Sequence, residues 1–344
     1  MRRHQLMTVL LALIGAVAFI ALGLPLPWLL GPMLICLAAA LMGAPLEGLG
    51  LITTIMRTVL GVAVGASITP QVVYQLPDIG ASLGIAVIFT AVIAAVGYPF
   101  FRRVFGFDHA TAWYSAMPGG LQDMLVFGEE AGGNVRALSL IHATRVLVIV
   151  TVAPLIMQLY WQVDLTRPPG ISIMQSDPIQ LVIMIVAGIA GWKIAERVGL
   201  FGASILGPMI LALILSLAGI INQRPPAEFI QAAQFVLGIA VGAKYAGITG
   251  KELRTYVTAG VVYSLILACL TLIFFELVVQ LGLAPGLDAL LAFLPGGQAE
   301  MVVIAIIVGA DLPYVISHHL LRIVLVIVMS PIVSKMIEKR QIND

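Results

Sequence analysis

The segment Leu60-Gly61-Val62-Ala63-Val64-Gly65-Ala66 returns 177 residues later as Leu237-Gly238-Ile239-Ala240-Val241-Gly242-Ala243. Pro118-Gly119-Gly120 returns at the same offset as Pro295-Gly296-Gly297, and His142, Arg145 and Pro154 return as His319, Arg322 and Pro331. Asp123-Met124 matches Glu300-Met301, and Gly31-Pro32-Met33 matches Gly207-Pro208-Met209 one residue closer. Chance does not hold one offset across separate motifs, so the chain is a tandem duplication. The halves are residues 1–165 and 178–344. Residues 166–177 form a polar linker with Arg167, Pro168, Pro169, Gln175 and Asp177.

Each half is a series of long apolar runs. Hydrophobic residues make up 60% of the chain and charged residues 10%, against about 25% charged in a soluble domain. A surface this poor in charge must face lipid. The many glycines and prolines lie inside the apolar runs, which transmembrane helices tolerate. A membrane crossing takes about 20 apolar residues. Candidate crossings are 7–23, 27–43, 49–67, 80–99 and 135–158, then 178–195, 203–220, 228–246, 255–277 and 312–334. The run at the start of the chain has a counterpart opening the second half, so it is read as part of the fold rather than as a signal peptide. One further apolar segment per half, 110–130 and 285–308, is interrupted by Pro-Gly-Gly.

If each interrupted segment turns back within the membrane, each half crosses five times and the halves are inverted. With the N-terminus inside, Arg2, Arg3, Arg102, Arg103, Lys193, Arg197, Lys244, Lys251, Arg254, Lys335, Lys339 and Arg340 all fall inside. Only Arg167 and Arg224 fall outside, a strong positive-inside bias. The bias weakens if both segments cross. The expected fold is therefore an all-α integral membrane protein of about ten transmembrane helices. They form two inverted five-helix repeats, each with a broken helix and both termini cytoplasmic. Inverted repeats with discontinuous helices are the build of many secondary transporters.

The chemistry concentrates at the breaks. Pro118 and Pro295 remove a donor and disrupt the preceding turn. Gly119, Gly120, Gly296 and Gly297 allow backbone angles that other residues avoid. The half-helix that follows would aim bare N–H groups at the midplane, which suits an anion; the plain alternative is a packing kink. Asp123 and Glu300 follow each break by five residues. They either cap the half-helix or carry a coupling ion, since a buried carboxyl group takes up a proton readily. His142 with Arg145, and His319 with Arg322, sit three residues apart on one helix face. An arginine at this depth needs a partner, either Asp123 or Glu300 in a structural ion pair or an anionic solute gripped by its planar fork. Arg57 and its counterpart Gln234 are polar at apolar depth and read as snorkelling or interhelical hydrogen bonding.

Other chemistries lack their residues. No basic stripe suits nucleic acid, no P-loop suits ATP, and the five histidines do not have metal-ligand spacing. No cofactor or metal is expected. Cys36 and Cys269 read as small core residues.

With Leu-Leu-Gly-Pro-Met and Ile-Leu-Gly-Pro-Met, the Leu-Gly-x-Ala-Val-Gly-Ala pair and the two Pro-Gly-Gly breaks, the whole chain resembles the bacterial AbrB membrane-protein duplication family. That family is distinct from the small soluble DNA-binding proteins sharing its name, and looks related to cation–proton antiporters and anion transporters. The resemblance implies a transporter-like fold and names no substrate. Its members carry labels of regulator of gene expression and ammonia monooxygenase; the second lacks its metal ligands here. The expected activity is secondary transport of a small anionic organic solute across the bacterial inner membrane, driven by H+ or Na+, with no enzyme activity. The alternatives are a membrane-embedded solute sensor acting indirectly on gene expression and, well behind, a membrane enzyme. Oligomerisation stays open, since lipid-facing helix surfaces can host a dimer interface.

Overall fold

This computed structural model describes residues 3–68, 70, 79–165, 169–200 and 202–343, without the side chains of 122–123, 298–299 and 338–343. Every regular element among the described residues is helical. The first half contains α1 (Arg3–Ala21), α2 (Pro27–Leu41), α3 (Leu51–Gly65), α4 (Gly80–Pro99, continued by a π turn to Val104), α5 (His109–Ala116), α6 (Leu121–Glu130) and α7 (Val135–Trp161). The second contains α8 (Pro178–Arg197), α9 (Ala203–Leu217), α10 (Ala227–Gly242), α11 (Thr258–Gln280), α12 (Gly286–Phe293), α13 (Gln298–Val308) and α14 (Leu312–Asn343). A single helical turn at Gly250–Glu252 and a π turn at Leu253–Val257 lead into α11. The duplication is therefore repeated in the helix boundaries. His109 and Gly286, Leu121 and Gln298, and Val135 and Leu312 open equivalent helices 177 residues apart.

Among the described residues, six helices are long and apolar enough to cross a membrane: Arg3–Ala21, Gly80–Val104, Val135–Trp161, Pro178–Arg197, Gly250–Gln280 and Leu312–Ile337. α1 exposes Leu6, Leu10, Leu13, Ile14 and Val17, and α8 exposes Ile179, Val182, Ile185, Val186 and Ile189. Apolar stripes of this length belong against lipid, not water. The chain is a helical membrane protein. Not all the expected crossings are full length. α2, α3 and α9 have 15 residues and α10 has 16, about 22–24 Å at 1.5 Å per residue, short of a hydrocarbon core of about 30 Å. Hydropathy overran these helices because their ends are set by backbone geometry. Gly43 (φ 88°) and Gly219 (φ 72°) close α2 and α9 in left-handed conformations that other residues adopt at a cost.

The chain folds into two compact units, each drawing on both halves. The first comprises Met1–Pro77, Val150–Ile248 and Ala299–Pro313. Here glycines let backbones touch. α1 lies on α2, where a Cβ on Gly31 would stand 2.5 Å from the Gly15 carbonyl. α8 lies on α9 the same way, with Gly191 against the Gly207 carbonyl. The Leu-Gly-x-Ala-Val-Gly-Ala helices exchange partners. α3 seats Gly61 on the Ile205 carbonyl and Pro208 of α9, and α10 seats Gly238 on the Leu29 carbonyl and Pro32 of α2. Each half thus packs its third helix on the other half's second, with small residues permitting the approach.

The second unit comprises Asp78–Ile149, Thr249–Gln298 and Tyr314–Asp344. It is held by larger groups. Phe89 packs its ring on Phe274 and Phe293, and Phe100 and Phe101 pack on Tyr263. Arg136 bridges to Glu252 at 2.9 Å. Both broken-helix entries, α5 and α12, and both His-Arg pairs lie in this unit.

Candidate functional site

The first break interrupts the helix as its sequence demands. α5 starts on Asp108, whose side chain accepts the Thr111 N–H at 2.8 Å, and it stops at Ala116, directly before Met117-Pro118-Gly119-Gly120. α6 resumes at Leu121 with Gly120 as its N-cap and no side-chain capping bond. α6 then doubles back along α5. The Asn134 N–H donates to Thr111 Oγ1 at 2.8 Å, and the rings of Phe127 and Tyr114 lie 6.3 Å apart. The segment starts and ends side by side, so α5 and α6 form a helical hairpin. One expectation is corrected. Gly119, Gly120, Gly296 and Gly297 are not among the glycines with positive φ, and Gly120 has φ −64°. At 119 a Cβ would meet only the flexible end of Met124, Cε at 2.7 Å and Sδ at 2.9 Å, which can shift to make room.

The His-Arg pair on α7 grips the end of α5 and the break. His142 Nε2 lies 2.9 Å from the Tyr114 carbonyl. A carbonyl only accepts, so Nε2 carries the proton. Arg145 donates from Nη1 to the Met117 carbonyl and from Nη2 to the Gly119 carbonyl, both at 2.8 Å. It thereby satisfies carbonyls on both sides of Pro118 that the broken helix leaves open. Tyr263 of α11 adds a third hold, donating to the Ala116 carbonyl at 2.7 Å, with Gly97 clearing room for its ring. Tyr263 lies in an unbroken apolar run, so nothing in the local residue pattern marks it.

The second pair repeats the first with one change. His319 Nε2 donates to the Leu291 carbonyl at 2.9 Å, and Arg322 Nη1 donates to the Leu294 carbonyl at 3.1 Å. These acceptors are the 177-residue counterparts of Tyr114 and Met117. Arg322 Nη2 turns instead to His319 Nδ1 at 2.9 Å. His142 Nδ1 has no such donor and is without a partner among the described residues. The halves therefore differ by one hydrogen bond inside each pair.

Both arginines are almost wholly enclosed, Arg145 1% and Arg322 4% exposed, and each keeps an Nε without a partner among the described residues. They lie within electrostatic range of each other. Among the described residues neither guanidinium is within salt-bridge distance of a carboxylate. The side chain of Asp123 lies outside the described residues. Glu300, buried, belongs to the first unit, where the charge acting on it comes from Arg57. Pro295 and Gly296 are buried at the end of α12, and Gly297 is half-buried. His318, without a counterpart in the first half, bonds to Ser82 Oγ at 2.8 Å, and Ser82 also meets the Tyr314 hydroxyl.

A family model described as "Transition state regulatory protein AbrB" matches residues 28–338. A Bacillus subtilis (strain 168) protein named "Uncharacterized protein YhjN" is 26% identical over 338 residues, covering 90% of this chain and 86% of that one. An Escherichia coli (strain K12) protein named "Putative regulator AbrB" is 23% identical over 347 residues, covering 96% and 95%.

Proposed function

The chain belongs to the AbrB membrane-protein family, and from that premise we propose that it is a secondary transporter of a small anionic organic solute. The observation that carries this reading is the pair of enclosed guanidiniums at the breaks, each with an Nε that has no partner among the described residues. A buried charge is costly in a membrane and marks function by default. Two cations in range of one another raise that cost, and a bound anion lowers it for both. A carboxylate or phosphonate would take the Nε donors of Arg145 and Arg322 and face the uncapped N-terminus of α6, which carries a partial positive charge. The Pro118-Gly119-Gly120 and Pro295-Gly296-Gly297 breaks would frame it.

The hairpin of α5 and α6 supports an odd number of crossings per half, and hence inverted five-helix repeats with both termini on the cytoplasmic side of the inner membrane. Alternating access in such folds works by motion of compact bundles, and the chain has two such units. Asp123 and Glu300 are the candidates for the coupling H+ or Na+. His142, whose Nδ1 is open, is a second proton acceptor in reach of the site.

The test is a thermal-shift screen of purified protein in detergent against organic acids, phosphonates and ammonium, with and without Na+, followed by flux into proteoliposomes. A ligand of the native state raises apparent stability by mass action. An organic anion should stabilise the wild type, lose its effect in Arg145→Lys and Arg322→Lys, and be transported. Stabilisation by ammonium and by no anion would overturn the anion site and make the carboxylates the site instead. The name of the Escherichia coli relative favours a second reading, a solute sensor in the membrane, which predicts binding without flux.

A further inference from the structure

α14 carries a polar stripe that its counterpart α7 lacks. Tyr314, His318 and Arg322 stand four residues apart, a spacing that puts them on one helix face. Ser82, in the first turn of α4, meets two of them. All four residues lie in the second compact unit. His318 Nδ1 is 2.7 Å from the Tyr314 carbonyl. A carbonyl only accepts, so Nδ1 carries the proton and Nε2 of the neutral ring is an acceptor. Ser82 Oγ lies 2.8 Å from Nε2 and therefore donates to it. The single hydroxyl hydrogen of Ser82 is then used, so its contact with the Tyr314 hydroxyl is a bond that Tyr314 donates. The hydrogens all point one way, from Tyr314 through Ser82 to the imidazole. At the 177-residue offset these three positions hold Ala137, Ala259 and Ile141. The equivalent helices are thus built without any of the three polar groups. The fold does not require the set, although burying polar groups within a membrane is costly.

Ser82, Tyr314 and His318 are 0%, 3% and 1% exposed. A solute does not reach groups so enclosed, whereas a proton passes along their hydrogen bonds. We propose that Tyr314 and Ser82 form a proton-transfer chain that loads His318, and that His318 is a proton site coupled to Arg322. In this step the Ser82 hydroxyl proton moves to His318 Nε2 and the Tyr314 hydroxyl proton moves to Ser82 Oγ. A hydronium ion replaces the Tyr314 proton and leaves as water. Both hydroxyls end intact, the hydrogen bonds of the chain are reversed, and the imidazole has become imidazolium. Tyr314 lies in the first turn of α14, His318 about 6 Å further along the axis and Arg322 about 6 Å beyond it. Among the described residues, the titratable and charged groups at His318 are Tyr314, His319 and Arg322 of its own helix. α4 meets it with Ser82, and α12 with the Phe293 ring at 5.5 Å, neither of which titrates. Two positive charges this close repel. An anion that neutralises Arg322 therefore favours a proton on His318, and by linkage the proton favours the anion. This last coupling rests on the anion reading of Arg322; the proton chain does not. In the topology proposed above, α14 starts at the non-cytoplasmic end, so the proton enters from outside.

The test is a pH titration of the full-length protein in detergent, without any organic anion, read by NMR of isotopically labelled histidine nitrogens. His318 is assigned by the signal lost in His318→Gln. The expected neutral form carries its proton on Nδ1. On acidification Nε2 gains a proton, and in Arg322→Gln it does so at a pH about one unit higher. Tyr314→Phe keeps the midpoint but cuts the chain, so one averaged signal for the neutral and charged forms becomes two separate ones. Ser82→Ala gives the same separation should Tyr314→Phe fail to fold. A hydroxyl that only packs would leave the exchange unchanged. A His318 that gains no proton in wild type or in Arg322→Gln, or titrates at one pH in both, overturns the coupled site. Averaged signals in both hydroxyl variants overturn the chain. With no anion in the titration, these failures leave the anion reading standing, and a failed anion screen leaves the titration untouched.

Discussion

Gly238→Ala isolates the packing that joins the two halves. In an unconstrained helix the change would stabilise by up to about 1 kcal/mol, because alanine has the higher helix propensity. Here the new Cβ would stand 2.5 Å from the Leu29 carbonyl oxygen, 3.1 Å from Pro32 Cβ and 3.2 Å from the Met33 nitrogen. Real Cβ contacts do not fall below 3.0 Å, so α10 and α2 must part by at least about 0.5 Å in an interior packed like a crystal. The obstacle is backbone and cannot swing aside. Overpacking of this kind costs about 1–3 kcal/mol, which leaves a net loss of up to about 2 kcal/mol after the propensity gain. Gly61→Ala meets the equivalent Ile205 carbonyl and Pro208 Cβ on α9, so the same loss is expected. Gly84→Ala is the control. It lies in α4 with nothing within 4 Å of its would-be Cβ, and it should match or exceed wild-type stability. Equilibrium unfolding in mixed detergent micelles reads all three. If Gly61→Ala and Gly238→Ala unfold with the Gly84→Ala variant, the close exchange of helices between the halves is refuted.

The His-Arg pairs should separate in double-mutant cycles, since Arg322 bonds His319 while Arg145 does not bond His142. Cycles with His→Ala and Arg→Met are expected to give a coupling of about 1–2 kcal/mol for His319–Arg322 and near zero for His142–Arg145; equal couplings would contradict the difference. Tyr263→Phe removes the donor to the Ala116 carbonyl at the end of α5 and should cost about 1 kcal/mol in the same unfolding assay, with no loss counting against its hold on the break. Arg136→Ala breaks a bridge whose side chains are 37% and 20% exposed. Solvent screening limits that loss to about 1 kcal/mol or less, and a larger drop in unfolding midpoint would show a role beyond the ion pair.

The duplication, the helical membrane class and the places where helices break were legible in the residues alone. These are local properties: apolar runs demand lipid, and proline ends a helix whatever surrounds it. The sequence also placed His142 with Arg145 and His319 with Arg322 on common faces, because three residues make nearly one turn. What the residues touch was decided by the tertiary structure. The arginines called for a charged partner, Asp123 or Glu300 or an anionic solute; among the described residues they donate to the Met117, Gly119 and Leu294 carbonyls, since a broken helix exposes acceptors that no composition reveals. The return of α6 along α5 depends on which surfaces fit within one segment, and the seating of Gly61 on α9 and Gly238 on α2 on which fit across more than a hundred residues. The lengths of α2 and α9 were decided by Gly43 and Gly219, because hydropathy measures how well a residue suits lipid and carries no record of where the backbone turns.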